Sequence, residues 1–585
     1  PAYGTLPITV GASTSLNYYK QYGYKGGYHD EIISWSARGP TPLGNVKPDV
    51  VNIGAGGWVS RPVWAGGGNG SSAYGLFGGT SMATPLTAGA SALIIQAYKQ
   101  AYGTPPTPET VKVILKSSAK DLGYNAFLQG SGRVDCFAAT ELALKKTGVT
   151  VASPATWNVQ QASVQHAWAF YQGSLGDPLA FKPPMGPISD TGWFAGNVKP
   201  GSSSFAEFAV KNPTVSAVSG KIAPMVYEQV SVKRYADLTG PVLGTRWGYI
   251  ALLSLSEIPI GTDLMTVTLT VPYAYFDVGY NYAYERNFAV FITDWNDTNA
   301  DSKVDLSELY VINLGYNAGT SCEAQMSLPL SKFKHQPVVV VRQYEDFSPV
   351  PFQVYIRYFK RTSWTWVTAP SSIRVNASSS STFTATLTVP LGTPQGVYEG
   401  LIVVNITGSY TKNVIIPVSL KVPAILLTSD LALNLTPPAT PMLYDSYRVN
   451  GYFDWGWRYE SGDWKTWAFD IQDPTVVAAF VSCKWTGNMT DIDMVGINPA
   501  GFITDAALSP TLGSDALNNR RFMWRTRTGA HEEYVILDTN MIFHSMPGVY
   551  TVLLHNVLFD GAMFPENVTG KVELVKLAPR GPINI

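Results

Sequence analysis

The chain has 585 residues, too many for one hydrophobic core, so several domains are expected. Its 41 Lys+Arg against 42 Asp+Glu leave a formal net charge of −1, which argues against an electrostatic grip on nucleic acid or on an anionic membrane. Charged residues make up only 14%. Thirty-two Tyr and 16 Trp stand among many Ser, Thr, Asn and Gly, a mixture that suits short strands and polar turns. No apolar run is long enough for a membrane span, and no signal peptide precedes the strand-like segment after Pro1, so the chain is expected to begin after a removed segment.

The region 1–147 mixes strands, Gly-rich loops and helices. ITV near the start and VKPDVV further on read as buried strands. A helix is predicted from Ser81 to about Tyr102, with Pro85 in its first turn, where a missing N–H costs little. Its Ala83, Ala88, Gly89 and Ala90 allow close backbone approach. A second helix, PETVKVILKSSAKDL, follows Thr107 as its N-cap. After about Gly148 the pattern turns to period-2 strands. MTVTLTV puts Met265, Val267, Leu269 and Val271 on one face, and TFTATLTV does the same with Phe383, Ala385, Leu387 and Val389. Boundaries near 235, 334 and 423 divide the chain into 1–147, 148–235, 236–334, 335–423 and 424–585. SSSFAEFAVKNPT and SSSTFTATLTVP look alike, which hints at related modules.

Three cysteines (Cys136, Cys322, Cys483) allow at most one internal disulfide, and their wide spacing argues against a zinc site. Seven N-x-S/T sequons, at Asn69, Asn296, Asn376, Asn405, Asn434, Asn488 and Asn567, are candidate glycosylation sites and point to an extracellular or cell-surface chain.

The stretch with chemistry is Gly78-Gly79-Thr80-Ser81-Met82-Ala83-Thr84-Pro85. A Ser after a tight Gly turn at a helix start exposes its hydroxyl, and the helix N-terminus favours a developing oxyanion. GTSMATP resembles the serine signature of the subtilisin-like (subtilase) family. WSARGP (Trp35 to Pro40), KPDVV (Lys47 to Val51) and GSGRVD (Gly130 to Asp135) resemble further family blocks in the family's order, and LPITVGAS resembles the strand after the oxyanion Asn. Two departures, Asn52-Ile53-Gly54 after KPDVV and Leu86 after Pro85, are expected to bear on packing.

The resemblance implies the α/β C-terminal half of a subtilisin-like domain followed by several all-β, fibronectin-like and jelly-roll modules, as in the large secreted pyrolysin- and tripeptidyl-peptidase-like type. It makes Ser81 the nucleophile of a serine endopeptidase acting on protein substrates through an acyl-enzyme. The family's Asp, His and oxyanion Asn motifs belong upstream of Pro1, and no HGT occurs in this sequence. The only DTG, Asp190-Thr191-Gly192, reads as a turn, and His29 as a loop residue. The chain alone is therefore expected to be inactive, needing an N-terminal peptidase fragment that carries His and Asp. The competing reading is a cell-surface or filament component that uses a retired peptidase half as scaffold.

Asp297 to Glu308 matches the twelve-residue EF-hand loop, with oxygen donors at Asp297, Asn299, Asp301, the Lys303 carbonyl, Asp305 and Glu308, so a structural calcium is expected. Ser302 replaces the preferred Gly. Aromatic runs such as FDWGWRYESGDWKTW (453–467) read as interface residues or as a face for glycan or protein.

Overall fold

The computed structural model describes residues 4, 6–21, 29–60, 73–155, 188–240, 247–252, 254–272, 287–317, 319–344, 349–426, 431–451, 462–488, 490–499, 503–507, 531–539 and 547–577. It is mostly β-strand, with its long helices confined to the N-terminal region.

In that region strand Val10–Ser13 pairs in parallel with Val50–Ile53, and a parallel bridge from Val51 to Arg133 adds a third rung. The GSGRVD glycines are needed here. A Cβ on Gly130 would meet the Pro48 carbonyl at 2.3 Å, and one on Gly132, at φ +119°, would meet the Lys120 carbonyl at 2.3 Å. The expected helices form as Thr80–Tyr102 and Pro108–Ser118. Thr107 caps the second by accepting from the Thr110 N–H at 3.1 Å, with Pro108 in its first turn. The first closes at Gly103, which takes the left-handed conformation. Ala90, Ile94 and Ala97 pack against Val111, Ile114, Leu115 and Leu142 to make the local core.

The strands after Gly148 do not follow the expected divisions. A five-stranded sheet in the order Val367–Thr368, Ser379–Thr388, Ser203–Asn212, Thr150–Ala155, Ile188–Asp190 shares one core with strands Gly396–Thr407 and Thr411–Val422. A second core lies between strands Ser321–Ser327, Leu264–Thr270 and Val350–Ser363 and the sheet holding Asn287–Trp295, Leu309–Asn317 and Gln336–Tyr344. Both cores share one large sheet, because Val218–Gly240 is long enough to serve each: Val218 and Ile222 lie in the first core, and Tyr235 and Leu238 pack against the second. The boundary expected near 235 therefore falls inside a strand, and 334 falls within the second module. The first β-module is discontinuous, with the second inserted into it. Period-2 alternation marks a strand but carries no information about which sheet it joins. For the same reason the look-alike segments are not two modules: Ser203–Asn212 and Ser379–Thr388 are neighbouring strands of one sheet.

Phe383, Ala385, Leu387 and Val389 are buried as expected. Strand Leu264–Thr270 is instead buried on both faces, Thr266, Thr268 and Thr270 included. It runs between two strands, and its polar side meets Glu323 and Arg357, with Thr268 Oγ1 donating to Glu323 at 2.9 Å. A third core, with Trp467, Phe469, Val481, Tyr550 and Val552, fills the space between two further sheets and takes in Tyr355 from the large sheet. Of the 453–467 run, residues 453–461 lie outside the described residues. Trp467 is core, and Trp464 stacks on His555 with ring centroids 3.7 Å apart.

The N-terminal region is packed on these layers. Leu122, Tyr124 and Leu128 meet Leu264, Phe359, Leu401 and Ile415, and Leu43 joins Val495, Ile497 and Leu553 of the last part. Cys136, Cys322 and Cys483 are all free thiols. Among the described residues no helix is long and apolar enough to cross a membrane.

Candidate active site around Ser81

Ser81 is exposed in the first turn of Thr80–Tyr102. Gly79 precedes it at φ 132°, a conformation few residues other than Gly adopt, and its N–H donates to the Gly54 carbonyl at 2.7 Å. Gly54 is needed in turn. A Cβ there would lie 2.6 Å from Ala12 Cβ and 2.9 Å from the Gly79 carbonyl. The turn that aims Ser81 is thus wedged against strand Val10–Ser13. From the other side, Asn52 Nδ2 donates to Thr87 Oγ1 at 3.0 Å, tying the strand after KPDVV to the helix. The Asn52 departure therefore acts in packing. Leu86, the other departure, is exposed, as are Leu93 and Ile95 on the same helix and Trp58, Tyr74, Leu76 and Phe77 on the hairpin Gly57–Ser60 and Tyr74–Phe77. The helix N-terminus directs partial positive charge at the region of Ser81 Oγ.

No histidine supports the hydroxyl among the described residues. The His29 carbonyl accepts from Glu31 N–H, His335 pairs with Asp294 at 2.9 Å in the inserted module, the His531 carbonyl accepts from Trp485 N–H, and His555 stacks on Trp464. His166 and His544 lie outside the described residues.

The DTG segment serves as a staple. Asp190 ends a strand and pairs with Lys116 at 2.8 Å, while Thr191, fully buried, donates to the Val151 carbonyl at 2.6 Å. Lys116 also reaches Asp49 of the KPD block, which further holds Lys47 at 2.7 Å and Lys112 at 3.0 Å. Burial opposes ionisation of Asp49, but the Lys112, Lys47 and Lys116 ammonium groups outweigh it and hold the carboxyl well below the usual range. Burial likewise opposes Asp190, and Lys116 and Lys112 again lower it. Lys47 is the weak member: burial and the other lysines push it down despite Asp49.

This cluster was missed in the sequence. Its signal was there, since Lys112 and Lys116 stand four apart on the otherwise apolar face of VKVILK. A second seam contact is Glu399. Burial pushes its carboxyl up to about 7, with Asn125 and the Phe127 N–H, at 3.1 Å, as partners.

Residues 1–133 match the model of the subtilase family. That match spans every subtilase-like block quoted above except the last two residues of GSGRVD. Residues 1–133 belong to the subtilase family. Pyrolysin of Pyrococcus furiosus is 35% identical over 159 residues, covering 25% of this chain and 11% of that protein. The mouse membrane-bound transcription factor site-1 protease is 35% identical over 122 residues, covering 20% and 11%. The PII-type proteinase of Lactococcus lactis subsp. cremoris is 31% identical over 140 residues, covering 21% and 7%. The chain thus spans about a tenth of the length of these relatives. A solved structure of tripeptidyl peptidase 2 aligns over 98% of this chain and 43% of its own at 11% identity, with a TM-score of 0.21, a likeness too slight to argue from.

In the 297–308 loop, Asp297 accepts from the Asp301 and Ser302 N–H groups, and Asn299 from Asp301 N–H. Ala300 and Ser302 both take positive φ. Asp305 caps Ser307, and Lys303 donates its N–H to Asp301. Glu308 is buried, accepting from Trp295 Nε1 at 3.0 Å and from Thr298. Among the described residues no three His, Cys, Asp or Glu side chains converge to hold a metal. Of the sequons, Asn69 lies outside the described residues. Asn376, Asn434, Asn488 and Asn567 are exposed, and Asn296 and Asn405 half-buried.

Proposed function

We propose that this chain is the Ser-bearing part of an extracellular subtilisin-like serine endopeptidase, with Ser81 as nucleophile and a separate N-terminal segment supplying His, Asp and the oxyanion Asn. The carrying observation is Ser81 itself, exposed at a helix start behind the Gly79 turn, inside a GTSMATP block within the family match. Ser81 Oγ attacks a peptide carbonyl while its proton passes to the supplied His. The oxyanion accepts from the Ser81 N–H and the supplied Asn, the amine leaves with the proton, and water then releases the acyl group. The exposed Leu86, Leu93, Ile95, Trp58 and Leu76 are the apolar surface that such a segment would cover. The accessible sequons and the peptidase relatives support an extracellular or cell-surface, glycosylated setting, with the β-modules as spacers or attachment surfaces. A calcium ion in the 297–308 loop is a separate proposal, supported by the donor spacing.

The test is co-expression with a segment carrying the family's D-T/S-G and H-G-T motifs, assayed on casein. Cleavage is expected for the pair, falling by more than about 10⁴-fold in Ser81→Ala. A correctly assembled but inert pair would favour the retired, structural reading.

A further inference from the structure

Between the inserted module and the last part of the chain, strands Val218–Gly240 and Val350–Ser363 line one side of a cavity of about 260 Å³, and the 441–450 segment with Phe564 lines the other. Tyr355 and Phe564 give it an aromatic wall, their centroids 4.9 Å apart. Three guanidinium groups, of Arg234, Arg357 and Arg448, line it; Glu323 and Asp445 balance the last two, which leaves Arg234 as the cation without a carboxylate among the described residues.

Two of the arginines are committed. Arg448 pairs with Asp445 and the Pro438 carbonyl, and buried Arg357 with Glu323 at 3.0 Å and Thr266 at 3.2 Å. Arg234 is exposed, lies 5.5 Å over the Tyr355 ring and donates to Gln353 at 2.8 Å. The rest of its fork has no partner among the described residues. Two acceptors in the lining are orphaned: Asn450 is 8% exposed and its Oδ1 meets no donor, nor does the buried Oε1 of Gln229. Buried acceptors without donors are rare in native proteins and call for a partner.

We propose that this cavity binds an acidic sugar unit of the hexuronate class. The carboxylate meets the Arg234 fork. Ring hydroxyls donate to Gln229 Oε1 and Asn450 Oδ1, and the ring's C–H face lies on Tyr355 and Phe564. The size agrees, since the cavity falls just under the roughly 300–1,000 Å³ of pockets for drug-sized ligands and has room for one pyranose, not an extended peptide.

The test is calorimetry and saturation-transfer NMR on the full chain with D-glucuronate, beside glucose, cyclohexanecarboxylate and acetyl-Gly-Phe as a peptide acid. Glucuronate is expected to bind saturably in the millimolar range, about tenfold or more tighter than each of the others. Arg234→Ala and Gln229→Leu should each weaken it about tenfold with circular dichroism and melting unchanged. Loss of binding alongside lost structure would be resolved by Arg234→Lys, which keeps the charge and should bind with intermediate strength. No saturable binding of glucuronate, equal binding of cyclohexanecarboxylate, or tightest binding of the peptide acid would each overturn the proposal.

Discussion

Asp49→Asn removes the charge on which three buried ammonium groups converge. Lys47, Lys112 and Lys116 lie 2.7, 3.0 and 3.4 Å from its carboxylate, and only Asp190 remains to serve them. Breaking a buried ion pair from one side costs about 3–5 kcal/mol, because the partner stays buried and uncompensated. The loss should be local, so native-state hydrogen exchange in Val50–Ile53 and Pro108–Ser118 is a better readout than whole-chain melting, which is not two-state in so large a chain. Lys47→Met should cost far less, under about 1 kcal/mol, since three lysines face two carboxylates and Lys47 is the one burial already disfavours. The pH sign follows from the lowered Asp49 and Asp190 values. Their stabilisation is present above the ordinary carboxylate pKa of about 4 and is lost as pH falls below it. The wild type should therefore lose protection in acid, and the Asn variant should lose less. Unchanged protection in Asp49→Asn, or a larger loss in Lys47→Met, would refute this account of the cluster.

Glu399 should behave oppositely. Burial raises its folded value from the ordinary 4.5 to about 7, so its contribution to stability is fully present below 4.5 and is lost as pH rises through 7. Glu399→Gln should flatten the change in hydrogen-exchange protection of Ala126–Gln129 and Gly396–Thr407 between about pH 5 and about pH 8, once intrinsic exchange rates are corrected for. Gly54→Ala forces a methyl to 2.6 Å from Ala12 Cβ and should displace the Ser81 turn, cutting turnover of the assembled enzyme by about 10²-fold on casein with little change in melting. Calcium binding in the 297–308 loop would require Glu308 to leave Trp295 Nε1, so a calcium titration should change tryptophan fluorescence in the wild type and not in Trp295→Phe.

The helices and the Ser81 turn were legible because their signals are local: Thr107 as cap, Pro85 in a first turn, Gly79 where positive φ is needed. The long-range order was not. Nothing in the alternation of residues 218–240 says that one strand serves two cores, and only its pairing with 350–363 reveals the insertion. Period-2 alternation separated Thr266 and Thr268 from the Met265–Val271 face, but it did not show that their face is buried too, where Arg357 and Glu323 are their partners across the sheet. Asp190-Thr191-Gly192 read as a turn, and its ion pair could not be seen because the partner, Lys116, stands 74 residues away. The cavity at Arg234 and Asn450 draws on segments more than 200 residues apart, beyond the reach of any motif.

The central claim is that Ser81 is a working nucleophile once its partners are present. Fluorophosphonate labelling of natively purified material, with intact-mass analysis of every polypeptide and mapping of the adduct, tests it most directly. Label on Ser81, found only where a second polypeptide carrying the H-G-T motif co-purifies, is the predicted result. An unlabelled Ser81 in the presence of that polypeptide would contradict the account.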